Sequence, residues 1–343
     1  MASASTHLDQ RRRTHDVIAA RLAALSDDQL TALMAETASW RTHGQGGQSG
    51  VIDVEGLKVF VKKINLTDLE RTAGDEGSTA NLFDLPLFYQ YGVGSAGFGA
   101  WRELRAYLKA SAWALSGECP HFPLVYHWRV LQRTAPPLSA EQLARRDWLV
   151  NYWDQSETVR ARLEAISTAS ASIVLFLEYV PQMLHAWLED RLNGQGLDAA
   201  LEAMIIRFHD QLHETAAFMN DRGMLHFDLN AYNVLTDGEQ IYAADFGLAI
   251  CADFDLSPAE RAFFETHCLY DRCYVTWAFA EWLAPKAEPP PLLTPALSAL
   301  VDRCAPIANI LGNFFDTLRN QGKTAPYPAT ELEAAFAAQS SVC

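Results

Sequence analysis

The run HFDLNAYNVLTDGEQIYAADFG, residues 226–247, constrains this chain more tightly than any other stretch. It places a carboxylate at Asp228, an amide at Asn233 and a second carboxylate at Asp245. The apolar stretches NVL and IYAA lie between these polar residues, so the segment reads as tight turns joined by short buried strands. Upstream, LDAALEAMIIRFHDQLHETAAFMNDRG carries a long apolar stripe at helical spacing and stops at Gly223. Glycine is the residue best suited to the left-handed position that closes a helix. A long helix therefore delivers the chain to a polar turn whose three oxygen-bearing side chains are set at fixed intervals.

The segments before that helix follow a different pattern. DVIAARLAAL has apolar residues at helical spacing, and SDDQLTALMAETASW restarts a helix with Ser26 as N-cap and acidic residues in its first turn. HGQGGQSG (43–50) is a glycine cluster, followed by VIDV, a turn at EG and KVFVKKI, which is a hairpin signal. Residues 66–95 are irregular, AGFGAWRELRAYLKASAWAL (96–115) reads as an amphipathic helix, and FPLVYHWRVLQ (122–132) as a strand. Residues 133–170 contain Pro136-Pro137 and a charged helical pattern, which marks an insertion. SIVLFLEYV (172–180) is a buried strand ended by Pro181. Short strands are expected around MLHF, NVLTD and QIYAAD, and the chain is helical again from Ser257, apart from PPPLLTP (289–295). The expected class is α+β: a helical extension (1–42), a small mostly β lobe (43–180, with insertions at 66–95 and 133–170) and a larger mostly α lobe (181–343). A small-ligand site is expected between the lobes.

Composition narrows the class of function. With 343 residues, 49% hydrophobic and 20% charged, the chain has the make-up of a folded globular protein with room for two lobes. No apolar run reaches the roughly 18 residues of a membrane span. The N-terminus has a basic cluster but no apolar stretch behind it, so no secretory signal is expected. Six cysteines (119, 251, 268, 273, 304, 343) are scattered without a C-x-x-C pair, which suits free thiols in a reducing, cytoplasmic compartment. A net charge of −15 disfavours nucleic acid and anionic membranes as partners and is compatible with a cationic or neutral substrate. Oligomeric state does not follow from the sequence.

Transfer of a phosphoryl group requires few protein parts. A carboxylate receives the proton of the attacking hydroxyl, hard oxygen ligands hold Mg²⁺, and a lysine steadies the phosphates. HFDLNAYN followed by ADFG resembles the protein-kinase-like superfamily, whose catalytic loop reads H-x-D-x-x-x-x-N and whose metal loop reads D-F-G. The resemblance implies a bilobal protein-kinase-like fold, with Asp228 as catalytic base, Asn233 as a Mg²⁺ ligand and Asp245 as the main Mg²⁺ ligand. Val59-Phe60-Val61-Lys62 resembles the V-A-I-K strand, which makes Lys62 the expected phosphate-binding lysine, with Lys63 on the other face as the alternative. Gly44, Gly46 and Gly47 stand where a phosphate-covering loop belongs, without matching G-x-G-x-x-G. The acidic partner of the lysine is Glu103 or Glu70. FLEYVP resembles the kinase hinge, so the backbone of Glu178 and Val180 is expected to read the purine of ATP or GTP.

Departures from the protein-kinase pattern point to one branch. Phe227 stands where kinases switched by activation-loop phosphorylation carry an arginine. Asn230 replaces a lysine expected in Ser/Thr protein kinases, and no A-P-E follows D-F-G. These features resemble the aminoglycoside and choline kinase branch, although that branch usually has Gly before the catalytic Asp and His two after it. LYDRCYVTWAFAEWL looks like the helix that buttresses the catalytic loop there, through Asp271. The resemblance, over about residues 43–285, implies transfer to a small-molecule hydroxyl such as that of an antibiotic or metabolite. A constitutively active bacterial Ser/Thr protein kinase and a non-catalytic pseudokinase are the alternatives. Acceptor specificity is expected in the segment 250–343, where Asp253, Asp255, Glu260 and Trp277 could meet a cationic or ring-bearing ligand but read first as surface or packing residues.

Overall fold

The computed structural model describes residues 2–35, 40–43, 47–92, 94–135, 137–283 and 293–340. Gly44 and Gly46 of the glycine cluster and most of PPPLLTP lie outside the described residues. The fold is α+β, and the chain divides into two compact units. Met1–Val180, Phe246–Leu248 and Phe254–Ser257 form the first; Pro181–Asp245, Ala249–Asp253 and Pro258–Cys343 form the second.

The first unit opens with helices α1 (Ala2–Ala23) and α2 (Asp27–Ala35). Ser26 and Gln29 cap α2 reciprocally, each side chain bonding the other's amide. Strands β1 (Arg41–His43), β2 (Gly47–Val54) and β3 (Leu57–Leu66) follow, then helix α3 (Ala100–Ser116), strand β4 (Val125–Gln132), helices α4 (Ala140–Tyr152) and α5 (Glu157–Thr168), and strand β5 (Ala171–Glu178). The five strands form one antiparallel sheet in the order β1-β2-β3-β5-β4. Glu55 and Gly56 join β2 to β3 with φ of 56° and 78°, two left-handed residues whose twist matches that of a tight hairpin. Asp53 fixes the turn by accepting the Gly56 amide at 2.9 Å.

Strand alternation in β3 sets the layout. Lys62 lies opposite Ser49 and Leu175, and its neighbour Lys63 opposite Gln48 and Val174, so the two lysines serve opposite faces. The Lys62 face meets α3. The Lys63 face meets α5, where Asn65 donates to the Ile166 carbonyl, and α2, where Arg129 reaches Asp27 at 2.6 Å. The two stretches expected as separate insertions share one apolar cluster in which Tyr89 meets Trp153 edge-on at 5.0 Å, with Leu85, Phe98, Leu149 and Val159 around them. Trp153 and Tyr89 are fully buried, which makes this a second core rather than a surface decoration.

The second unit contains strand β6 (Gln182–Met183), helices α6 (Leu184–Gln195) and α7 (Ala199–Asp221), and strands β7 (Met224–Leu225), β8 (Val234–Thr236), β9 (Ile241–Ala243) and β10 (Ile250–Cys251). Helices α8 (Pro258–Thr266), α9 (Tyr270–Leu283), α10 (Pro295–Asn320) and α11 (Ala329–Ser340) complete it. Asp198 caps α7 by accepting the Leu201 amide, and Gly223, at φ 72°, turns the chain out of that helix into the polar loop. Strands β6, β8 and β9 form one small sheet, and β7 pairs with β10. No described helix is long and apolar enough to cross a membrane.

Candidate functional site

In the second unit the polar loop is built around Asp228. Its Oδ1 accepts from Asn230 Nδ2 at 2.7 Å and from the Tyr274 hydroxyl at 3.1 Å, while its Oδ2 accepts from Asn233 Nδ2 at 2.7 Å. Asn233 Nδ2 also donates to the Asp228 carbonyl at 2.9 Å. The Asn233 nitrogen is thereby engaged by Asp228, and the carbonyl oxygen Oδ1 is the atom it has to offer a cation. Burial pushes the Asp228 carboxyl up to about 7, and the nearby Asp245 charge adds to the shift against the pull of its three donors. Asp245 itself is exposed. Asp228 and Asn233 are thus in direct contact, and Asp245 is near enough for its charge to act on Asp228.

The loop is held in shape from behind. His226 is fully buried; its Nε2 lies 3.0 Å from the Ala244 carbonyl and its Nδ1 3.3 Å from the Asp228 amide. That arrangement requires a neutral ring with the proton on Nε2, and burial drives the imidazole pKa down in the same direction. His226 thus ties the turn that carries Asp228 to the residue preceding Asp245. Asp271, at the start of α9 and fully buried, accepts from the amides of His226 at 2.7 Å and Phe227 at 2.9 Å, and from Asn220 Nδ2 at 3.0 Å.

Two non-glycine residues of this segment hold left-handed backbones: Phe227 at φ 65° and Asp245 at φ 61°. Each costs about 1–3 kcal/mol and persists only where surrounding contacts impose it. For Phe227 those contacts are visible. Its amide is fixed by Asp271, and its ring stacks on Tyr270 at 4.3 Å and Phe263 at 5.6 Å. A phenylalanine at this position, which the sequence marked as a departure, anchors the loop through packing.

In the first unit Lys62 Nζ lies 2.7 Å from Glu103 Oε1. Both side chains are largely buried, and Tyr107 of α3 adds its ring face 5.7 Å from the ammonium. The choice between the two glutamates is settled by what surrounds Glu70. Its Oε2 pairs with Arg162 at 2.8 Å and takes the Thr67 hydroxyl at 2.7 Å, and its Oε1 accepts the Ala100 amide at 2.6 Å. Glu70 therefore caps α3 and places Glu103, one turn later, toward Lys62. Lys63 faces away from this pair and has no part in it.

Two expectations need correction. Gly47 is the first residue of β2, paired with His43, and belongs to the sheet rather than to a loop. At the proposed hinge, the Glu178 amide donates to the Leu124 carbonyl at 2.8 Å and is thereby engaged within the first unit. The Glu178 carboxylate is itself held by Arg11 of α1 at 2.6 Å, and Val180 is the half-buried residue that ends this stretch of the first unit. Asp255 is tied to the Thr79 amide and hydroxyl, Glu260 is buried, and the Trp277 ring packs on Phe315 at 4.7 Å. Of the four, Asp253 and Asp255 are exposed, Trp277 is half-buried and Glu260 is buried.

The sequence reading missed several supporting residues. Asn230 and Tyr274 were not recognised as partners of Asp228. Gly97, read as part of a helix, has φ +69°, and a Cβ built on it would run into the Gly247 carbonyl oxygen. Gln90 donates to the Leu248 carbonyl, and Phe246 packs edge-on against Tyr107 at 4.9 Å. The three residues after Asp245 are thus seated on the first unit by Gly97, Gln90 and α3. The paired glycines in AGFGAW were the available signal, since glycine inside an otherwise helical pattern marks a close backbone approach.

Among the described residues no three His, Cys, Asp or Glu side chains converge as a ready-made metal cage. The Asp245 carboxylate and the Asn233 amide oxygen are donors of the kind Mg²⁺ takes when phosphates and water complete its shell. Two acidic groups close enough for one to raise the pKa of the other are also a place where a cation relieves repulsion. Comparison with protein-family models and with curated proteins returned no match.

Proposed function

We propose that this chain is a phosphotransferase of the protein-kinase-like, bilobal kind, moving the γ-phosphate of ATP or GTP to a hydroxyl of a small molecule such as an antibiotic or metabolite. The observation that carries this reading is the Asp228 carboxylate: braced by Asn230, Asn233 and Tyr274, raised toward neutrality, and set beside Asp245. A bound Mg²⁺–nucleotide supplies the electrophilic phosphorus and neutralises the charge that develops on it. Asn233 and Asp245 would hold the metal. Asp228, with a pKa near the working pH, takes the proton of the acceptor hydroxyl. Lys62, kept in place by Glu103, meets the phosphates, and the Val180 backbone meets the purine. The buried ring of Phe227 favours a small acceptor over a protein kinase switched by phosphorylation, because that position offers no guanidinium to a phosphorylated loop.

Incubation with radiolabelled Mg-ATP and separate panels of hydroxylated antibiotics, hydroxylated metabolites and a generic protein acceptor tests the reading. Label on a small molecule, lost in Asp228→Ala, is the expected result. Label confined to protein would favour the constitutive protein kinase, and nucleotide binding without transfer to any acceptor the pseudokinase.

A further inference from the structure

The outer face of the sheet in the first unit bears a cavity of about 460 Å³ that the proposed reaction does not use. It is bounded by β2, β3, β4 and β5 on one side and by α2, α4 and α5 on the other. Four cations line it: Lys63, Arg133, Arg145 and Arg146. Among the described residues no Asp or Glu lines it, although the chain as a whole carries a net charge of −15. In a protein so acidic, four convergent positive groups from three separate segments are not a solvated charge run.

The local contacts leave these cations under-compensated. The Lys63 ammonium sits 3.8 Å over the Trp40 ring, a contact that supplies no counter-charge, and burial lowers its pKa. Arg133 donates to the neutral Ala169 carbonyl at 2.8 Å. Arg146 meets Glu164 and Asp147 only at 4.0 and 3.8 Å, and its Nε is buried without a hydrogen-bond partner among the described residues. Lys63, Arg133 and Arg146 are half-buried and Arg145 is exposed, so an anion entering the cavity would meet several positive groups in a partly desolvated setting. The volume is that of a small-molecule site, and guanidinium forks suit an oxyanion with several acceptor oxygens. Leu131, Leu138 and Val174 provide apolar wall for a carbon body.

We propose that this cavity is a binding site for a small organic phosphate, distinct from the nucleotide and acceptor sites, on the sheet face opposite Lys62. The proposal does not depend on the phosphotransfer reading. Calorimetric titration with pyrophosphate in EDTA, which withholds the metal that the Asp228 group would use, tests it. Wild type and Lys62→Met should bind pyrophosphate equally, and Lys63→Met/Arg146→Met should bind at least tenfold more weakly. If that double variant fails to fold, Leu138→Trp leaves all four cations in place but sets an indole ring across the apolar wall of the cavity, and should show the same tenfold loss. Binding no stronger than that of chloride at equal ionic strength would overturn the proposal. So would full binding by either cavity variant, or a loss confined to Lys62→Met.

Discussion

Replacing Asp271 with alanine removes the acceptor that shapes the polar loop without touching any group assigned to chemistry. The side chain is fully buried and takes three donors, from the main chains of His226 and Phe227 and from Asn220. Asn220 can still donate to the Met224 carbonyl at 3.2 Å, so its loss is slight. The two amides lose a buried acceptor, and each buried donor left unsatisfied costs about 1–3 kcal/mol. Part of that is returned, because releasing Phe227 relaxes a left-handed backbone that costs about 1–3 kcal/mol. The net expectation is a loss of roughly 3 kcal/mol in unfolding free energy, with Asp271→Asn, which retains one acceptor oxygen, falling about midway. Urea unfolding followed by far-ultraviolet circular dichroism measures it, with turnover measured on the folded fraction. Asp271→Ala within about 1 kcal/mol of wild type would refute the assignment of these bonds as what holds the loop.

Other perturbations probe different parts. Asp228 titrates near 7 in the folded chain, well above a free carboxyl, so the folded state holds this proton more tightly and stability falls as pH rises from about 4 to about 7. Asp228→Asn should therefore gain on wild type across that interval in pH-dependent unfolding, by about 2–4 kcal/mol, while losing turnover; a pH-independent difference would contradict the raised pKa. In Lys62→Met, turnover should fall roughly a hundredfold with Asp228 intact, and an unchanged rate would remove Lys62 from the phosphate site. Gly97→Ala should displace the Phe246–Leu248 segment, read as a gain in amide exchange at those residues, because neither the left-handed φ nor the Gly247 carbonyl tolerates a Cβ.

What the sequence made legible was local. The β2–β3 hairpin followed from β-branched runs around Glu55-Gly56, the α2 cap from Ser26, and the loop of Asp228 and Asn233 from spacing along a single turn. Groups brought together from far apart were not legible. Glu103 and Glu70 are equally acidic, and only Arg162, Thr67 and the Ala100 amide, which claim Glu70, decide between them. Tyr274 reaches Asp228 from α9, and Arg11 reaches Glu178 from α1, at separations no periodicity encodes. The shared core of residues 83–98 with α4 and α5 was hidden for the same reason, since each segment alone looks like a loop or a charged helix.

The adjacency of Lys62 and Lys63 makes the pairing of β3 with its neighbours a chemical setting as well as a structural one. A slip of one residue would trade the two ammonium groups, sending Lys63 to the carboxylate on α3 and Lys62 to the arginine-lined chamber. Val61 and Val59, fully buried two and four positions before Lys63, would be turned out of their core by the same movement. The valines that anchor the strand therefore also decide which lysine faces Glu103 and which the chamber behind the sheet.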